Sequence, residues 1–199
     1  MSLFLGIDFG TTGVRTSIID KNKKELINFS VSIDSPISKG ALVYQHPSLW
    51  WSALIKNLTF LKTKIGLNKI DRLSIDGTSG TVLITDHFGK PLDNALMYND
   101  ASAVKESKLV ESISDNHPIV STSTNALVRA LSLINKLKKE KYRILHQADW
   151  IACKIINDYL YSDENNALKL GYDCVERSWP KWSVISTVPD VPSIDNLSI

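Results

Sequence analysis

Asp8 ends an apolar run, LFLGIDF at residues 3–9. It is followed at once by Gly10, Thr11, Thr12 and Gly13 and then by a second apolar run, VRTSIID at 14–20. A carboxylate at a strand end is rigidly held yet open to solvent. The N–H groups of a Gly-Thr-Thr-Gly turn, with two hydroxyls beside them, can form a concavity for an anion. A carboxylate next to such a seat suits a hydrated Mg²⁺ bridging to phosphate, because Mg²⁺ keeps several waters and takes few protein ligands. The same letters also describe a plain hairpin whose Asp and Gly serve the turn alone. Short glycine-rich patterns do not separate the two readings, and the P-loop pattern G-x-x-x-x-G-K-[ST] is absent.

Other polar landmarks follow. Asp76-Gly77-Thr78-Ser79-Gly80-Thr81 breaks a strand-like stretch at 70–86, and Asn99-Asp100 closes a short apolar segment at 95–100. Asp100 is equally placed to cap the helix expected after it. His46, His87, His117 and His146 are scattered without ligand spacing and read as cap or surface residues. Cys153 and Cys174 are 21 positions apart with no CxxC or Cys/His pattern, so they read as reduced, partly buried thiols. Trp50, Trp51 and Trp150 are expected in the core, and Trp179 and Trp182 over the mouth of a pocket. The basic run KLKKEKYR at 136–143 reads as a solvated helix end.

These residues need a scaffold. The runs at 3–9, 14–20 and 25–33 form an expected antiparallel meander, with Gly10 and Gly13 supplying positive φ at the first turn. After a loop containing Pro36 and Gly40, residues 46–66 carry apolar side chains at helical spacing, with Pro47 in the first turn and Gly66 at the end. Residues 70–86 read as strand, polar break and strand, and 95–100 as a short strand. Helices are expected over about 101–113, 125–139 and 147–157, the second capped from STSTN at 121–125. The tail from Trp179 shows no periodicity. Strands and helices in this order predict an α/β domain with a mixed sheet and flanking helices.

Composition limits the partners. Twenty-three Lys and Arg against 21 Asp and Glu leave a net charge of +2, too balanced for a nucleic-acid or anionic-membrane footprint. No apolar stretch approaches the ~20 residues of a membrane span, and the N-terminus has no signal-type segment.

Taken together, residues 5–20, IDGTSGTVLITDHFGKPLDNALMYNDASA at 75–103, HQADWIACKI at 146–155 and SDENNALKLGYD at 162–173 resemble, in order and spacing, the N-terminal domain of the FGGY carbohydrate kinases. That family is a branch of the actin, Hsp70 and sugar kinase superfamily. DGTS and NNALKLGYD, followed by WPKW at 179–182, look most like the D-ribulokinase and xylulokinase-like subgroup.

The resemblance implies a ribonuclease-H-like lobe that binds sugar, with ATP held mainly by a second, C-terminal lobe. Residues 1–199 are thus expected to form one sugar-binding domain, incomplete and without its nucleotide-binding partner. It further implies ATP and Mg²⁺ as cofactors, a small-molecule sugar (D-ribulose or D-xylulose) as substrate, no nucleic-acid or membrane partner, and a cytoplasmic location. A homodimer is left open for the full-length protein. Carried over by position, Asp8 is the metal-associated carboxylate, and Gly10, Thr11, Thr12 and Gly13 meet the transferred phosphate. Thr78, Ser79 and Gly80 form the sugar-side loop, and Asn99 and Asp100 line the sugar pocket. Two departures stand out. The family often has an Arg two positions after the pocket Asp, where this chain has Ser102. The family's catalytic base is an Asp expected beyond residue 199, so no residue here takes that role. The second reading is a non-catalytic sugar-binding module or a truncated remnant. A third, an ATPase of the chaperone or actin type, leaves the DGTS to YND stretch unexplained.

Overall fold

A computed structural model describes residues 2–114, 120, 122, 124–137, 141–159, 161–183, 185 and 190–191. The chain divides into two compact units, residues 1–36 with 46–78 and residues 37–45 with 79–199.

In the first unit, β1 (Leu3–Phe9), β2 (Gly13–Asp20) and β3 (Glu25–Ser32) form the expected meander, and β6 (Ile70–Gly77) adds to it parallel to β1. The order β3-β2-β1-β6 makes this sheet mixed. Strand alternation explains its two faces. Leu3, Leu5, Ile7 and Phe9 are buried, whereas Phe4, Gly6 and Asp8 between them are less so. Helix α1 (Pro47–Lys64) packs on β2 and β3 with Trp50, Ala53, Leu54 and Leu61 buried at helical spacing. Its capping follows the sequence: His46 accepts from the Ser48 N–H, Pro47 opens the first turn, and Gly66 lies just beyond the end at φ 85°. The buried Asn57 locks the helix to β2, donating to the Val14 carbonyl at 3.2 Å and accepting from the Thr16 hydroxyl at 3.1 Å. Phe29 stacks on Phe60 with ring centres 3.9 Å apart.

The second unit holds an antiparallel sheet in the order β4-β5-β8-β7-β9. Its strands are β4 (Ile37–Lys39), β5 (Leu42–Gln45), β7 (Val82–Thr85), β8 (Ala95–Leu96) and β9 (Arg143–His146). Helices α2 (Val104–Ile113) and α3 (Ala126–Leu137) pack together, and α3 lies on β7. Val82, Ile84, Val110, Leu127, Ala130, Leu131 and Ile144 are central to one apolar cluster. Helices α4 (Gln147–Ile156) and α5 (Glu164–Leu168) follow. Asp149 joins them, accepting from the Ser162 hydroxyl at 2.8 Å and the Asn166 amide at 3.0 Å.

Several expectations need correction. The two strand-like halves of 70–86 enter different sheets, so there are two sheets rather than one. The loop expected around Pro36 and Gly40 contains β4 and β5. The segment 95–100 keeps only two residues as strand. In the basic run, Lys136 lies in the last turn of α3, residues 138–140 lie outside the described set, and Arg143 begins β9. Trp179 and Trp182 are half-buried against the second unit's apolar cluster, which gives both rings a packing role. Trp50 and Trp150 are in the core as expected. The N-cap expected from STSTN is found in Asn125, whose side chain accepts from the Leu127 N–H at 2.7 Å. His117 and most of the tail lie outside the described residues.

Candidate functional site

On the first unit, Asp8 projects from the face of β1 opposite α1. Register sets its neighbours: Arg15 is its cross-strand partner on β2, and Asp76 is its partner on β6. The Arg15 guanidinium donates to Asp8 Oδ2 at 2.6 Å, and the two side chains are 65% and 49% exposed. An open concavity of about 550 Å³ covers this face, lined by Gly6, Asp8, Arg15, Ser17, Ser74 and Asp76 among others. Glycine at position 6 keeps its floor clear of a side chain. One solvent-reachable carboxylate is thus held between a cation and a second carboxylate.

The turn after β1 differs in detail from expectation. The Gly10 N–H donates to the Gly13 carbonyl at 2.9 Å, so this donor closes the turn and does not face an anion. Neither Gly10 nor Gly13 has positive φ. Close approach is the physical reason for glycine at 13, where a Cβ would stand 3.3 Å from the Val31 carbonyl oxygen. Thr12 is exposed at the turn and Thr11 half-buried. Thr78 belongs to this unit too, and its hydroxyl donates to the Phe9 carbonyl at 3.2 Å, fastening the end of β6 to β1.

The remaining predicted residues lie in the second unit. Ser79 is exposed, and Gly80 is buried with φ 81°, a conformation natural to glycine. Both line a cavity of about 350 Å³ with Tyr98, Asn125, Arg129 and Lys169. Asn99 and Asp100 are not among its lining residues. Asn99 is exposed at the surface, whereas Asp100 is fully enclosed. The Asp100 carboxylate accepts from the Val43 N–H at 2.7 Å, the Ser102 N–H at 3.2 Å and the Ser102 hydroxyl at 2.9 Å. These donors hold the loop around the enclosed carboxylate. Asp100 does not cap α2, whose N-cap residue is Ala103.

Sequence reasoning passed over Arg129. It is 1% exposed, and its guanidinium donates to three backbone carbonyls, those of Gly80 at 2.6 Å, Asp100 at 3.3 Å and Thr124. Burial pulls its pKa down to about 10, with the nearby Asp100 charge acting in the opposite direction. A signal was present: an arginine set among Leu127, Val128, Ala130 and Leu131 is out of place on an apolar helix unless it has buried partners.

This architecture is shared with known proteins. Residues 3–166 match the model of the FGGY family of carbohydrate kinases, N-terminal domain, and the chain belongs to that family. A xylulose kinase of Staphylococcus xylosus is 22% identical over 191 residues, covering 90% of this chain and 39% of the relative. A crystal structure of xylulose kinase from Rhodospirillum rubrum superposes with a TM-score of 0.80 at 17% identity, covering 96% of this chain and 42% of that one. Plasmodium falciparum glycerol kinase, solved with ADP, gives a TM-score of 0.75 at 18% identity, with 96% and 43% covered. The fold is that of the sugar kinases, and xylulose kinases recur among sequence and structural relatives alike, as expected of the xylulokinase-like subgroup. The chain spans about two fifths of the length of the curated xylulose kinase it matches. Among the described residues, no helix is long and apolar enough to cross a membrane.

Proposed function

We propose that the full-length protein is an ATP-dependent pentulose kinase, which transfers the γ-phosphoryl group of ATP to the terminal hydroxyl of D-ribulose or D-xylulose. In this reading residues 1–199 supply the sugar side and part of the phosphate seat. The observation that carries the proposal is the family match over residues 3–166, with Asp8 held solvent-reachable at the end of β1. The recurrence of xylulose kinases supports a pentulose over glycerol.

Asp8 fits a magnesium ion that comes with the nucleotide. Mg²⁺ takes one or two carboxylates and keeps water on its other positions. Asp8 offers a half-exposed carboxylate with Asp76 beside it in register. Among the described residues, no group of three or more acidic, His or Cys side chains forms a fully protein-ligated site. Held there by Asp8, magnesium would supply neutralisation of phosphate charge. The tip of the turn, with Thr11, Thr12 and Gly13, meets the transferred phosphate. Ser79 and Gly80 present the sugar-side loop, which Thr78 anchors, Asn99 contributes an exposed amide, and Asp100 stiffens the backbone beneath it. No residue of this chain is assigned the catalytic base. The reading implies a cytoplasmic location, where ATP is supplied.

The test is ADP release by the purified full-length protein with Mg²⁺ and ATP against a panel of ketopentoses, glycerol and gluconate. D-ribulose or D-xylulose is expected to stimulate turnover most. Stimulation by none of the panel refutes the kinase reading, and a preference for glycerol or gluconate refutes its pentulose part. Sugar binding by calorimetry without any turnover favours the non-catalytic module.

A further inference from the structure

We propose that Arg129 is a positioning residue for the sugar-side cavity: its guanidinium ties the loops of Gly80, Asp100 and Thr124 to helix α3 and thereby sets the cavity's shape. The proposal's kinetic consequence rests on the kinase reading above. The three carbonyls belong to separate stretches of chain, the turn between β6 and β7, the loop after β8 and the segment before α3. Carbonyl oxygens can be cross-linked only by a donor that reaches all of them, and the planar fork of a guanidinium does so from one point. Two of these stretches, around Gly80 and Thr124, contribute lining residues to the cavity of about 350 Å³, as does Arg129 itself. Asp100 adds the balancing negative charge from a fully enclosed position.

Gly80 fits this arrangement closely. It combines φ 81° with close approach, since a Cβ there would stand 3.2 Å from Arg129 Nη2. The loop can deliver its carbonyl to the guanidinium because position 80 has no side chain. Arg129 Nε is enclosed as well and bonds no acceptor among the described residues.

The experiment compares Arg129→Met, Arg129→Lys and Gly80→Ala with the parent in the full-length protein, by steady-state kinetics and by amide hydrogen exchange. Arg129→Met is expected to raise the KM for sugar roughly tenfold or more, because small misplacements in a substrate site are costly. The KM for ATP should stay within about twofold. Arg129→Lys should recover part of the loss, since an ammonium reaches some but not all of the acceptors, and Gly80→Ala should reproduce the direction of the effect. Amides at 79–81 and 100–102 should exchange faster in Arg129→Met, while those of β1–β3 keep their protection. Unchanged sugar KM with unchanged exchange overturns the proposal. So does a parallel rise in both KM values with protection lost throughout, which marks a general folding defect. If the parent phosphorylates no sugar or polyol although the loops loosen in Arg129→Met, the kinase reading fails and the kinetic role of Arg129 fails with it.

Discussion

Replacing Asp8 by Ala separates a phosphate seat from a hairpin ornament. The structural cost is small. Asp8 is half-exposed, and its one ion pair, to the still more exposed Arg15, is of the surface kind, worth about 0–1 kcal/mol in water. Asp76 lies beside it in register on β6, so removing Asp8 also relieves a like-charge neighbour and offsets part of that loss. The net change in stability should stay below ~1 kcal/mol, or roughly 2–4 °C in Tm for a chain of this size. The catalytic cost is of another order. If this carboxylate holds magnesium at the transferred phosphate, its removal should lower kcat/KM by about 10²–10³-fold, on the order of 3–4 kcal/mol of transition-state stabilisation. The assay is sugar-dependent ADP release by the full-length protein at saturating Mg²⁺, read beside a thermal melt of the same preparation. Asp8→Asn serves as the isosteric control and should resemble Asp8→Ala in rate. A variant that loses less than about tenfold in rate, or whose Tm falls in step with its activity, refutes the assignment and returns residues 8–13 to simple turn chemistry.

Two further outcomes follow from buried groups. Asn57→Ala removes bonds to the Val14 carbonyl and the Thr16 hydroxyl inside the packed face of α1 and leaves a small void. It should cost on the order of 3 kcal/mol in chemical denaturation, with sugar KM unchanged if the loss is confined to the first unit. Burial pushes the Cys153 thiol up to about 11 from a reference of 9.0. Its folded pKa is raised, so its contribution to stability is fully present below about pH 9 and is lost as pH rises towards about 11. The difference in stability between the parent and Cys153→Ala should shrink over that window, and at pH 8 the native thiol should resist alkylation until the chain unfolds. A pH-independent difference, or rapid labelling of the native protein at Cys153, contradicts this.

The elements most legible in the sequence are those whose signal is local. The meander over 3–32 and helix α1 follow from alternation, helical spacing, Pro47 and Gly66, all within a few residues of each other. Of the strands that escaped notice, β4 pairs only with the adjacent β5, and β5 in turn depends on a distant partner. Ile37–Lys39 is exposed throughout and Leu42–Gln45 is only four residues long, and β5 is completed by β8, some fifty positions on. No periodicity over three or four residues can report such a pairing. The division of the chain was hidden for the same reason, since residues 37–45 fold with the second unit although the first surrounds them in sequence. At β9 the preceding lysines drew the reading towards a helix end, while Ile144 and Leu145 carried the buried pattern. At Gly13 the residue type was meaningful, but its reason is a crowded backbone and not an unusual φ.

Arg129 shows how a motif can mislead about where charge comes from. By resemblance, a cation was expected two positions after Asp100, and Ser102 there read as a weakened network. In the fold, the Ser102 hydroxyl bonds the Asp100 carboxylate directly, while Arg129, 29 positions along the chain, donates to the Asp100 backbone carbonyl and brings a positive charge that interacts with the carboxylate. A buried carboxylate needs donors and a counter-charge within a few ångströms, but electrostatics places no condition on which element supplies them. Local sequence comparison looks for the cation at its usual offset, whereas the packed core requires only that some helix deliver it. An arginine inside an apolar helical stripe is therefore the better place to look when a loop carboxylate has lost its expected neighbour.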